Sequence, residues 1–178
     1  MVNVQELEIP GVKLISLNRH ADRRGWINES WRDNWSEQLG IPDRFVQDML
    51  SWNDRAYTLR GMHTLTVDQY KLVSVVNGRI FDVVVDARKD STTYGKYASV
   101  ELSIENSYML LVPPGCYHGY LTLEPNTAVS YKVSHYHSSE HDSGILWNDS
   151  SLGIKWPLEN QTPIISDRDQ RHPLLKDL

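Results

Sequence analysis

The chain has 178 residues, 40% of them hydrophobic, and a net charge of −5 with both signs scattered along its length; these values suit one domain with a sizeable core and exclude a disordered chain, a nucleic-acid groove or a membrane-binding face. A lone cysteine, Cys116, excludes an internal disulfide framework and a thiolate metal cluster. The start of the chain lacks a basic segment followed by an apolar run, and no apolar stretch approaches the ~20 residues of a membrane span, so a soluble cytoplasmic protein, one domain over residues 1–178, is expected.

In chain order, a short helix is expected at residues 32–39, stopped by Gly40 and Pro42. Residues 71–90 carry two β-branched runs around Asn77-Gly78, which predicts a tight hairpin. In the second run Phe81, Val83 and Val85 share one face, while Asp82, Val84 and Asp86 share the other. Further strands are expected at 99–104, 108–112, 118–123 and 128–135, with Pro113-Pro114-Gly115 turning between two of them. The tail from Asn160 is polar and turn-rich, with a short helix expected at 167–171. Short strands at this spacing predict an all-β fold, an antiparallel barrel or jelly roll whose closure removes exposed edges.

Two segments resemble the paired motifs of the cupin superfamily. PPGCYHGYL has the form of the second motif, with His118 as its histidine, and RGMHTLTVDQYKLVSVVNG stands where the first belongs. Metal-binding cupins place a glutamate seven residues before the glycine of that motif; here the residue seven before Gly78 is Lys71, and the stretch has one histidine, His63. A divalent site wants about three protein ligands, and an ammonium repels the ion. The expectation is therefore a barrel with no metal and no cofactor, built for acid–base chemistry on an organic substrate.

Alternation sets Leu59, Gly61 and His63 on one strand face and Lys71, Val73 and Val75 on another. If both faces point inward, an imidazole and an ammonium converge. A neutral histidine can take a proton from a carbon beside a carbonyl, and a lysine can stabilise the enolate oxygen that results. Tyr131, on a face with Val129 and Val133, is a candidate for reprotonating the opposite side. A carboxylate is needed to orient the histidine. Taken singly, each of these residues reads more simply as a packed or solvated side chain, so spacing alone does not decide.

Over nearly its whole length the chain resembles the dTDP-4-dehydrorhamnose 3,5-epimerase family. The resemblance is carried in order by DRRGWINESW, FVQD, LRGMH, YKLVSVVNGRIFDVVVDARKDSTTYG, ENSYMLLVPPGCYHGY, SYKVSHYHSSEHDSGILWNDSSLGIKWP and ISDRD. It implies His63 as the base, Asp169 as its paired carboxylate, Lys71 as the active-site lysine and Tyr131 as the general acid. It further implies that Asp82 and His118 line the cavity, that Arg24, Glu29, Gln47 and Arg60 hold the nucleotide and its diphosphate, that Tyr136 packs near the base, and that Arg168 lies near the phosphates. Guanidinium forks suit a diphosphate. Strict alternation sets Arg60 opposite His63, so it needs a bulge, or serves the cavity edge or a neighbouring subunit. Members of the family are dimers that exchange N-terminal strands, so a homodimer is expected.

Departures cluster around the ligand. HTLTVDQYKLV is shorter than the usual connection and resembles relatives acting on GDP-linked 4-keto heptoses. Met49 replaces an asparagine, and His137 stands where a second tyrosine is usual. The expected activity is inversion of C3, C5 or both in a nucleotide-linked 4-keto-6-deoxy sugar. The alternatives are a cupin 3,4-ketoisomerase and an inactive nucleotide-sugar binding protein. A zinc site from His135, His137 and His141 is rejected, because no carboxylate or cysteine set completes it.

Overall fold

The structure is a computed structural model in which residues 2–42 and 44–178 are described. Its strands, in chain order, are β1 (Asn3–Glu6), β2 (Lys13–Ser16), β3 (His20–Asp22), β4 (Gly25–Ile27), β5 (Gln47–Asn53), β6 (Leu59–Leu65), β7 (Lys71–Asn77), β8 (Arg79–Asp86), β9 (Tyr97–Ser103), β10 (Tyr108–Val112), β11 (Cys116–Thr122), β12 (Thr127–Val133) and β13 (Asp142–Gly144). Helix α1 (Trp35–Leu39) lies between β4 and β5, and short 3₁₀ turns form at Asp169–Arg171 and Leu175–Asp177. A six-stranded antiparallel sheet, β1-β2-β10-β7-β12-β5, faces a five-stranded one, β13-β6-β11-β8-β9, while β3 and β4 form a separate two-stranded ribbon. This is the all-β jelly roll that the strand spacing predicts, of the cupin type that the two motifs resemble.

Three apolar clusters hold the layers together. Val73, Val75, Ile80, Val84, Leu110, Tyr120 and Val129 fill the space between the two sheets. Behind the larger sheet, Leu72, Met109 and Leu111 pack under Trp35 and Leu39 of α1. Behind the smaller one, Val83, Val85 and Tyr117 pack under Ile145, Leu152 and Leu175 from the C-terminal tail. Strands β7, β8 and β10 are thus covered on both faces, which is why they read as nearly continuous apolar runs. Leu175 is fixed in turn by its backbone N–H, which donates to the buried Asp149 carboxylate at 2.9 Å.

The structure corrects the predicted hairpin. Strands β7 and β8 are not paired: β7 lies between β10 and β12 in one sheet, and β8 between β11 and β9 in the other. Asn77-Gly78 is therefore the corner where the chain crosses from sheet to sheet. The dipeptide marks a reversal in either case. The helix begins at Trp35, three residues after its predicted start, and the tail helix is one 3₁₀ turn at Asp169–Arg171. The remaining predicted strands fall within two residues of their observed bounds.

Candidate active site

A cavity of about 690 Å³ opens between the sheets, and its lining includes Arg60, His63, Lys71, His118, Tyr131, Arg168 and Asp169. That volume suits a small-molecule ligand. The sequence motifs converge because neighbouring strands carry them: His63 of β6 is in register with His118 of β11, and Tyr131 of β12 with Val73 of β7.

His63 reaches the cavity together with Arg60 because β6 is bulged. Three residues of β11, His118 to Tyr120, oppose four of β6, His63 back to Arg60. The extra residue cancels strict alternation, and Arg60 and His63 end on the same side of the sheet. This removes the conflict that alternation predicts for Arg60. The bulge centres on Gly61, at φ 132°, where a Cβ would lie 2.6 Å from the Gly119 Cα; a larger residue fits neither the backbone angle nor the space. Arg60 is aimed by Asn53 of β5, whose Oδ1 accepts from Nε at 2.9 Å.

His63 Nε2 lies 2.8 Å from Asp169 Oδ1, and Asp169 Oδ2 accepts the Gly61 N–H at 3.1 Å. Burial alone would raise the Asp169 carboxyl. The His63 hydrogen bond and charge, with the Gly61 and Ser166 hydrogen bonds, outweigh that and bring it down to about 2. The carboxylate is thus held charged. With Nε2–H directed at Asp169, His63 presents Nδ1 as its basic nitrogen.

Lys71 Nζ donates to the His63 backbone carbonyl at 3.1 Å. Burial lowers this ammonium to about 8, against the opposing pull of Asp142 and Asp82. Tyr131 is raised well above the ordinary phenol value by burial, with Tyr120 and Asp82 adding to the shift, so it stays protonated. His118 and Asp82 form a buried pair, Nε2 to Oδ1 at 2.5 Å. Asp82 stands behind His118 and is not part of the cavity lining, which corrects the expectation that both line it.

Other expected ligand residues lie elsewhere in the single chain. Arg24 is in the β3–β4 ribbon, 84% exposed and ion-paired to Asp22 at 2.6 Å. Glu29 pairs with Arg32. Gln47 accepts the His137 backbone N–H at 2.8 Å and so anchors the loop after β12. Tyr136 is 65% exposed in the single chain. Arg168 lines the cavity and is held by Asp142 at 3.1 Å, and the same carboxylate takes His137 Nε2 at 3.0 Å. Asp142 is a site residue that sequence reasoning missed. So is His172, whose ring lies edge-on to His63 at 5.5 Å between centroids. Neither has a local spacing signal, because both reach the site from the C-terminal third of the chain.

The profile of dTDP-4-dehydrorhamnose 3,5-epimerase matches residues 6–177. The chain is 42% identical to the Sinorhizobium fredii dTDP-4-dehydrorhamnose 3,5-epimerase, over 98% of this chain and 90% of that one. A Bacillus anthracis dTDP-4-dehydrorhamnose 3,5-epimerase, solved with TDP and pyrophosphate, superposes with TM-score 0.93 at 43% identity, covering 98% of this chain and 99% of that one. A Legionella pneumophila dTDP-6-deoxy-D-glucose-3,5-epimerase, in complex with dTDP-4-keto-L-rhamnose, superposes with TM-score 0.94 at 36% identity, covering 99% and 94%. Fold and sequence agree over nearly the whole chain: it belongs to the dTDP-4-dehydrorhamnose 3,5-epimerase family.

Proposed function

We propose that this chain is an isomerase that epimerises C3, C5 or both of a nucleoside-diphosphate-linked 4-keto-6-deoxy sugar, without a cofactor. The observation that carries the reading is the oriented His63–Asp169 pair beside the Lys71 ammonium in one cavity. His63 Nδ1 takes the proton from the carbon beside the ketone. The C–H electron pair forms the enolate double bond, and the carbonyl electrons move onto oxygen, where Lys71 balances the charge. Asp169 holds the ring and stabilises its protonated form. Tyr131 returns a proton to carbon from the other face, and solvent exchange resets both groups.

Arg60 and Arg168 serve the diphosphate. Arg24 and Glu29 join the site from a second copy of the chain. Three features support a homodimer. The β3–β4 ribbon exposes Trp26 and Ile27; β5, a sheet edge, exposes Leu50 and Trp52; and a lone two-stranded ribbon is marginal without cover. The donor is either a dTDP-linked 4-keto-6-deoxy hexose, the type named for the relatives, or a GDP-linked 4-keto heptose, whose enzymes the short connection between β6 and β7 resembles. No helix among the described residues is long and apolar enough to cross a membrane.

The test is incubation with dTDP- and GDP-linked 4-keto-6-deoxy sugars in D2O, read by NMR. Deuterium at C3 or C5 is expected. A product with the carbonyl moved to C3 instead identifies a ketoisomerase, and no exchange with any donor rejects the reading. A thermal-shift series with dTDP, GDP, CDP and UDP identifies the nucleotide, since a ligand at 100 times its Kd adds about 2.7 kcal/mol.

A further inference from the structure

His172 has no part in the chemistry above, yet it is built into the base. It follows the 3₁₀ turn that carries Asp169, and its Nε2 lies 3.6 Å from Asp169 Oδ1. That nitrogen is buried and has no hydrogen-bond partner among the described residues, whereas buried polar atoms normally have one. Room for the ring comes from Gly144 of β13, where a Cβ would lie 2.2 Å from it.

We propose that His63, Asp169 and His172 form a binding site for one divalent transition-metal ion of the zinc class, and that filling it silences the base. The three donor atoms lie within 4.8 Å of one another. Two imidazoles and a carboxylate are a zinc donor set, and bonds of ~2.0–2.1 Å in a tetrahedron put donors ~3.4 Å apart. The 2.8 and 3.6 Å separations from Asp169 Oδ1 straddle that value, and side-chain rotation would have to set the two imidazole nitrogens, within 4.8 Å of each other, at the same spacing. The Gly61 N–H on Oδ2 orients the carboxylate and leaves Oδ1 for the ion. Nearby cations do not fill the site: Lys71 Nζ is engaged by the His63 carbonyl and Arg168 by Asp142. The site lies between β6 and the tail turn that carries Asp169.

The effect on the base follows from the tautomer. Without metal, Nε2 of His63 carries the ring proton and Nδ1 carries the free electron pair. An ion on Nε2 takes the electron pair of that nitrogen, and the ring proton moves to Nδ1. The proton count of the ring is unchanged, but no electron pair is left to accept a proton from carbon. This consequence rests on the assignment of His63 above, whereas the metal site itself rests on geometry alone.

The experiment uses the full chain, treated with chelator and desalted. Cobalt(II) chloride is titrated with visible absorbance as the readout, zinc chloride is added in competition, and deuterium incorporation is measured alongside relative to each protein's own metal-free rate. One ion per chain, an intense low-coordinate cobalt band and loss of incorporation are expected. His172→Ala and His172→Gln should each weaken cobalt binding at least ~100-fold, the upper range for removal of a mere orienting partner. His141→Ala, at the exposed His135–His141 pair, should leave the titration unchanged. The site is refuted by the absence of a saturating band, or by a titration that His172→Ala and His172→Gln leave intact. A saturating band with undiminished incorporation refutes the silencing. If the metal-free protein exchanges nothing, the assignment of His63 fails while the cobalt titration still decides the site.

Discussion

At the scale of single residues, the site opposes a held charge to a strained one. Asp169 is kept ionised, down to about 2, by the hydrogen bonds it accepts, so it orients His63 at any working pH. His63→Ala should then cut deuterium incorporation on the order of 100- to 10,000-fold while nucleotide binding persists; incorporation at the parent rate rejects the base. Lys71 is the reverse case. The proposed reaction needs its ammonium beside the enolate, yet burial lowers it to about 8 from 10.5. Below pH 8 both folded and unfolded chains hold that proton, and the folded state bears the full penalty of about 3 kcal/mol. Between pH 8 and 10.5 the folded chain releases the proton first, so the penalty fades as pH rises. Lys71→Met should therefore be inactive but more stable than the parent near pH 7, with the advantage shrinking toward pH 10.5. Urea unfolding at several pH values checks this, and a variant no more stable near neutrality rejects the buried charge. Turnover by the parent should fall on the alkaline side near pH 8.

At the scale of elements, the cavity depends on one bulge. Gly61→Ala would set a Cβ 2.6 Å from the Gly119 backbone at φ 132°, which costs on the order of 1–3 kcal/mol. Its specific mark should be a rise in KM for the nucleotide sugar beyond any loss of stability, because Arg60 would turn away from His63. A lowered Tm with an unchanged KM would mean that the bulge does not set Arg60. The same bulge shows where sequence reading stops. Strand positions were legible because β-branched runs alternate between turn signals, and Lys71, Val73 and Val75 do share an inward face. Strict period two gave the wrong side for Arg60, since nothing local in LRGMH announces an extra residue opposite Gly119. Asn77-Gly78 was legible as a reversal but not as a sheet crossing, because strands covered on both faces carry no record of their neighbours.

At the scale of the whole molecule, the site is closed by distant chain. His63 and Asp169 are 106 residues apart, so spacing could not pair them and only the resemblance did. Asp142 and His172 arrive the same way, from the tail that covers the smaller sheet. The nucleotide end remains open in one chain: Arg24, expected to hold the diphosphate, points into solvent from a ribbon with an exposed Trp26 and Ile27. Two arrangements account for this. Either Arg24 plays no part in binding, or a second copy brings it to the cavity. Complementation separates them. An Arg24→Ala homodimer lacks the guanidinium at both sites, and a His63→Ala homodimer lacks the base at both. In a mixed dimer exchanging ribbons, one site combines the intact His63 of one chain with the intact Arg24 of the other. Random reassortment at equal amounts makes half the dimers mixed, each with one native site of two, so about a quarter of parental activity should return. If each site is built within one chain, mixing two crippled proteins returns only the average of their separate rates, and the shared site is refuted.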